Sequence, residues 1–204
     1  MDRSADGGIT WLQKDLRVAQ IAGGWDCAVR GLNRANGMPV TRVDRSNGLH
    51  QGRIYVNWTD NRNGPDDQDV WVVCSDDGGE SWTAPIRVND DPPGAQQFFT
   101  WMAVDDVTGF VHIVYYDRRQ SAAKYANPAV KASWDTEVYV ASSYDGGATW
   151  RNLRVSEKPF RPQEKMFFGD YNNISAYDGR VRPIWTRNDK GTLSIWTAVM
   201  DGFE

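Results

Sequence analysis

Bulky apolar and polar positions alternate along this chain in short runs, with no useful window showing a helical period. Residues 54–62, 111–119 and 181–189 each alternate Val, Ile, Tyr or Trp with smaller or polar residues and close on charged ones. A further apolar run precedes each, at 38–44, 100–105 and 171–177, across the turn dipeptides Asn47-Gly48, Thr108-Gly109 and Asp178-Gly179. Residues 69–74, 137–142 and 193–199 form a third set of runs. This pattern predicts an all-β chain of short strands joined by tight turns.

One octapeptide occurs three times, at a spacing of about 70 residues. Its copies run from Ser4 through Asp6, Gly7 and Gly8 to Trp11, from Ser75 through Asp77 to Trp82, and from Ser143 through Asp145 to Trp150. Asp-Gly-Gly between two strand-like runs predicts a hairpin, with glycine supplying positive φ and the Ser and Asp side chains bonding turn amides. The Trp is expected to pack back across the hairpin base. Runs following each box, at 11–18, 82–88 and 150–155, supply a fourth strand. Four strands per repeat describe the blades of a β-propeller. Blades are expected at about 38–89, 98–156 and 170–199, with residues 9–18 as a lone outermost strand that completes the last blade if the ring closes. Natural propellers run from about four to eight blades, so three do not close comfortably. The chain is expected to be half or a fragment of a larger propeller, or one of two copies that assemble into a ring.

Composition narrows the function classes. A formal charge of −4 leaves no electrostatic footprint for nucleic acid. No apolar run approaches the roughly 20 residues of a membrane span, and the opening residues lack the apolar core of a signal peptide. Cys27 and Cys74 permit one bridge at most and form no metal-binding spacing; His50 and His112 are far apart in sequence. No cofactor and no metal is expected. The acidic stretch at 64–69 offers oxygens of the kind calcium takes, but without a defined ligand spacing it reads as a solvated loop. An insertion rich in Ala, Lys and Tyr at 120–135 predicts a long loop of the kind that shapes a binding face.

The box, S-x-D-x-G-x-x-W, is the Asp-box, and its repetition in four-stranded units resembles the sialidase (neuraminidase) superfamily with BNR repeats. Segments at 115–119 and 168–174 resemble bacterial secreted BNR-repeat proteins of the sialidase-like type. The resemblance implies a six-bladed propeller and an extracellular or cell-surface location. It also implies an exo-acting, retaining glycoside hydrolase for a terminal sialic acid or related anionic sugar. In such enzymes arginine forks hold the substrate carboxylate, an Asp serves as acid/base, and a Tyr polarised by a Glu is the nucleophile. Carried onto this chain, the nucleophile position falls on Tyr171, at the head of an inner strand, with Asp170 directly before it and Glu164 as the polarising carboxylate. Arg62, Arg118 and Arg119, with Asp117, end second strands; Arg42 lies on an inner strand. These arginines read either as a carboxylate-binding cluster or, from the repeated Asp-x-Arg ends, as structural salt bridges. The family's Phe/Tyr-Arg-Ile-Pro signature is not found, and Phe160-Arg161-Pro162 echoes it only in part. The alternative expectation is therefore a non-catalytic BNR-repeat propeller that binds carbohydrate or protein.

Overall fold

The computed structural model describes residues 1–121 and 134–203. The insertion expected at 120–135 lies mostly outside the described residues. Among these, three antiparallel sheets form. The first holds β1 (Val40–Val43), β2 (Ile54–Asp60), β3 (Asp69–Ser75) and β4 (Ile86–Arg87) in chain order. The second repeats that order with β5 (Gln97–Val104), β6 (Val111–Asp117), β7 (Glu137–Ser143) and β8 (Arg151–Arg154). A third has β9 (Asn173–Tyr177), β10 (Arg180–Asp189) and β11 (Thr192–Thr197). The fold is all-β, as the alternation predicts.

Period-two alternation gives each strand two apolar faces, which stacks the sheets like blades. Tyr55, Val70, Val72 and Cys74 of the first sheet meet Met102, Ile113, Tyr115 and Ala141 of the second. The opposite face of the second, with Phe98, Val114, Tyr116 and Val138, meets Ile174, Val181 and Trp185 of the third. Tyr116 also bridges the sheets by hydrogen bonds: its hydroxyl donates to the Thr186 carbonyl at 2.7 Å and accepts from the Thr186 amide at 3.0 Å.

All three boxes fold alike. Gly8, Gly79 and Gly147 each donate their amide to the box Ser Oγ at 2.8 Å, and each Trp indole donates to the carbonyl three residues earlier at 3.1 Å. The first two turn positions after the Asp have positive φ in every copy, which glycine adopts without strain. In all three the box Asp binds the hydroxyl four residues on, at 2.5 Å.

Residues 9–18 depart from expectation: they follow a box turn yet form no strand. A strand needs a ladder edge, and the sheet lacking a fourth strand lies at the other end of the stack. The segment instead exchanges hydrogen bonds with the start of the chain, Leu16 donating to the Met1 carbonyl at 2.8 Å. Val18, Ala19 and Ile21 then pack on Trp58, Trp71 and Val73 of the first sheet. Cys27 and Cys74 are both free thiols.

His112 is fully buried on β6, its Nδ1 2.8 Å from Ser142 Oγ. Burial pushes its pKa from 6.5 down to about 4, against the opposing pull of Asp105. Because the folded value lies below the unfolded one, the neutral ring's stabilisation is complete above pH 6.5 and lost as pH falls through about 4. That loss amounts to about 3 kcal/mol by linkage. The chain has only two histidines, so proton NMR should resolve one ring titrating near pH 4. A midpoint above 6 for both rings would contradict the burial of His112.

Candidate functional site

The order of strands sorts the connections to two ends. Box turns and the turns after the innermost strands share one end. The opposite end carries the links from second to third strand and from one sheet to the next, and there the charged strand ends gather. The innermost strands β1, β5 and β9 line a common channel whose cavity of about 710 Å³ is bounded by Thr41, Arg42, Ala103, Val104, Asn173 and Ser175.

The head of β9 lies at the end of the innermost strands where the charged strand ends gather, outside the lining of that cavity. Tyr171 is 60% exposed and its ring packs against Trp101 of β5, with centroids 6.3 Å apart and planes inclined at 59°. Trp101 is half-buried, and its indole Nε1 has no hydrogen-bond partner among the described residues. Asp170 is held from one side only: Arg34 donates to Oδ2 at 2.7 Å, while the buried Oδ1 is unpartnered among the described residues. Asn36 Nδ2 donates to the Asp170 carbonyl at 3.4 Å, tying the segment before β1 to the head of β9. The Arg34 guanidinium also lies 5.9 Å from the Phe167 ring. An exposed tyrosine ring backed by a half-buried tryptophan can stack on a sugar face, and the exposed Arg34 guanidinium beside it can bond its hydroxyls. Glu164 stands exposed and forms no hydrogen bond or ion pair among the described residues. The structure thus brings Asp170 and Tyr171 together with Arg34, Asn36 and Trp101, and does not link Glu164 to them.

The arginines divide differently. Arg62 grips Asp60 with two bonds of 2.9 and 2.6 Å and stacks 4.5 Å from the Trp71 ring. Arg119 grips Asp117 at 3.0 and 2.9 Å and stacks 4.0 Å from Tyr139. Arg187 repeats the device with Asp189 and Trp196, at 4.7 Å. Each guanidinium is therefore sandwiched between a carboxylate and an aromatic face of its own sheet. Arg118 is fully buried, donating to Thr136 Oγ1 at 3.1 Å, to Gln96 Oε1 at 3.3 Å and to the Arg30 carbonyl. Arg42 differs: it is exposed on β1, lines the channel, and donates only to the Thr41 carbonyl at 2.9 Å among the described residues.

Equivalent carboxylates titrate in opposite directions. Burial works against ionisation of Asp60, but hydrogen bonds from Arg62 and Trp58 outweigh it and hold its pKa below the ordinary range. Asp117 is more deeply enclosed and faces Asp91, so burial wins over the pull of Arg119 and pushes it up to about 6. In the acidic loop, Asp66 pairs with Arg30, Asp67 accepts the Gly94 amide at 2.8 Å, and Asp69 binds Arg87 and Asn89 at 2.6 Å. The described residues include no cluster of three His, Cys, Asp or Glu arranged to hold a metal ion. No helix among them is long and apolar enough to cross a membrane.

The BNR/Asp-box repeat family matches residues 73–84, which span the second box. The chain carries the BNR/Asp-box repeat. No curated protein matches it in sequence. Among solved structures, the α-L-arabinanase of Penicillium chrysogenum, complexed with arabinobiose, is similar at a TM-score of 0.52 and 16% identity, covering 95% of this chain and 50% of that one. The Hadza microbial sialidase Hz136 is similar at 0.47 and 16%, covering 72% and 32%. For the α-L-arabinofuranosidase of Fusarium graminearum the values are 0.47 and 13%, covering 98% and 53%. These neighbours are glycosidases by name. The chain spans between about a third and a half of their length, and at such identity the likeness concerns fold alone.

Proposed function

We propose that the chain is part of an extracellular, carbohydrate-active propeller of the glycoside-hydrolase type, which binds a glycan at the mouth of its channel. The observation that carries this reading is the exposed Tyr171 ring set against Trp101 beside the half-satisfied Asp170. Aromatic faces offer the apolar side of a sugar a large rigid surface, while Asp170, Arg34 and Asn36 supply polar groups that fix its orientation. Arabinobiose, the ligand of the Penicillium arabinanase, and sialyllactose are the two probes of choice. Calorimetric titration of each is expected to reveal saturable binding to one of them. Tyr171→Ala should weaken it at least about tenfold, or 1.4 kcal/mol. Because Tyr171 is exposed, the variant should keep its melting temperature. Absence of binding to either glycan, or unchanged affinity in Tyr171→Ala, would sink this reading.

A narrower second reading is sialidase-type hydrolysis with Tyr171 as nucleophile, acid/base work by Asp170 and polarisation by Glu164. Its support is the exposed Tyr171 directly after Asp170, whose Oδ1 has no hydrogen-bond partner among the described residues. A neutral Tyr nucleophile suits an anionic sugar, which would repel a carboxylate. Arg62, Arg118 and Arg119 are held by acceptors of the protein itself, so Arg42, which lines the channel, is the one of these arginines left for a substrate carboxylate. Turnover of a fluorogenic sialoside, abolished by Tyr171→Phe, is the result this narrower reading requires.

A further inference from the structure

The innermost strands β1 and β5 are each followed directly by an aspartate that opens the next turn. Asp105, after β5, is fully buried and has both oxygens bonded. Its Oδ1 accepts the amides of Val107, Thr108 and Asp178 at 2.8, 3.1 and 3.1 Å, and its Oδ2 accepts that of Gly179 at 2.9 Å. Asp178 and Gly179 belong to the corresponding turn of the neighbouring third sheet. Asp44, after β1, is 2% exposed, and its Oδ1 accepts the Ser46 amide at 2.8 Å. Its Oδ2 has no hydrogen-bond partner among the described residues. The neighbouring turn offers it none, because the amides of Val107, Thr108, Gly109 and Phe110 are all taken up within that turn.

The free oxygen lies 3.0 Å from where a β-carbon on Gly109 would stand. Asp44 and Gly109 both line a cavity of about 540 Å³ at the end that carries the boxes, between the first and second sheets. Both of these sheets have four strands and they pack directly on one another. His50, Phe110 and Tyr144 form further walls. Neither ring nitrogen of His50 has a hydrogen-bond partner among the described residues, and the ring lies 2.5 Å from where a β-carbon on Gly146 would stand. Phe110 and Tyr144 meet edge to face, with centroids 4.8 Å apart and planes at 86°. The charged side chains around the cavity are engaged elsewhere: Arg45 with Asp106, Arg53 with Asp76, and Asp145 within its own box.

We propose that this cavity binds a protonated primary amine. Its ammonium donates to Asp44 Oδ2 and to a ring nitrogen of His50, and its carbon body rests on Phe110 and Tyr144. An enclosed carboxylate oxygen without a donor is unfavourable, and a bound cation relieves it. The single free oxygen selects among cations. A guanidinium presents a fork matched to two acceptor oxygens, whereas an ammonium is a compact charge whose donors act singly. A metal ion needs more ligands than this pair, and the described residues hold no group of three His, Cys, Asp or Glu that could bind one. Aromatic faces attract an ammonium as well. The ligand is thus an amine with an alkyl or sugar body. The site lies at the end of the stack away from Tyr171 and stands whether or not a glycan binds there.

The His50 ring itself reports occupancy. Its C–H resonances, one of two histidine sets in the chain, are followed in titrations with n-butylamine and with glucosamine at constant neutral pH and ionic strength. The uncharged counterparts n-butanol and glucose serve as controls. At least one amine is expected to shift the His50 set saturably, neither counterpart should, and the buried His112 set should stay in place. Asp44→Asn removes the charge but keeps an acceptor for the Ser46 amide, and should weaken binding at least about tenfold. Tyr144→Ala, at a side chain 44% exposed, should weaken it about threefold. Tighter binding of n-butylamine assigns an alkylammonium such as a lysine side chain; tighter binding of glucosamine assigns an amino sugar. Tyr171→Ala should leave the shift unchanged, which separates this site from the glycan site. No saturable shift with either amine would overturn the proposal. So would equal shifts with the uncharged counterparts, or unchanged affinity in Asp44→Asn or in Tyr144→Ala.

Discussion

Asp117→Ala is expected to destabilise the fold by about 3–5 kcal/mol at neutral pH, the range for removing one partner from a buried ion pair. The Asp117 carboxylate is completely buried; its Oδ2 accepts from Nε and Nη2 of Arg119 at 3.0 and 2.9 Å, and its Oδ1 accepts the Arg119 amide at 2.6 Å. Without it, a guanidinium whose side chain is only 15% exposed keeps Asp90 at the surface and the Tyr139 face, but loses the oxygen that accepts two of its N–H groups. Asp106→Ala is the contrasting case. Its pair with Arg45 is exposed on both sides, and such pairs contribute about 0–1 kcal/mol. Urea unfolding of the two variants should separate them by several kcal/mol. Equal small losses would mean that Arg119 finds water or another acceptor at no cost.

Tyr116→Ala should cost a similar amount, about 3–5 kcal/mol, through the cavity it opens between the second and third sheets. The Tyr116 ring sits among Phe98, Phe160 and Phe168, with centroids 5.2, 5.9 and 5.1 Å away. Tyr116→Phe isolates the polar part. It preserves the ring and strips Thr186 of both a donor and an acceptor, for which about 1–3 kcal/mol is expected. Hydrogen exchange should show where that loss falls, with faster opening in β10 and little change in β2 or β3. A uniform loss across all three sheets would mean the stack unfolds only as one unit.

Much of this architecture is legible in the chain. Alternation at 54–60 and 111–117 marks β2 and β6 because each strand must present one face to each neighbouring sheet. The three boxes are legible because only glycine follows the Asp cheaply at positive φ. Residues 9–18 are misread for an equally physical reason: a strand is defined by its partner, and a local pattern does not say which edge is within reach. The candidate site divides along the same line. Tyr171 and Asp170 are singled out through the family resemblance, by their place before an inner strand. Arg34 and Asn36 come from an irregular segment with no periodic signal, and only the folded path of residues 19–37 brings them to Asp170. Trp101 shows as a strand residue, yet nothing local tells that its ring meets Tyr171. Likewise, the Asp-x-Arg spacing at 60–62 and 117–119 announces an ion pair, while the aromatic plate behind each guanidinium depends on cross-strand register.

The most direct measurement of the proposed glycan site is the indole N–H spectrum of the tryptophans during titration with arabinobiose and sialyllactose. The Trp101 resonance should shift saturably with one glycan, because its indole packs against the exposed Tyr171 ring on which the sugar would stack. The indoles of Trp11, Trp82 and Trp150, each bonded within its own box, should stay in place. Shifts confined to the box indoles, or no shift with either glycan, would contradict a glycan site at Trp101 and Tyr171.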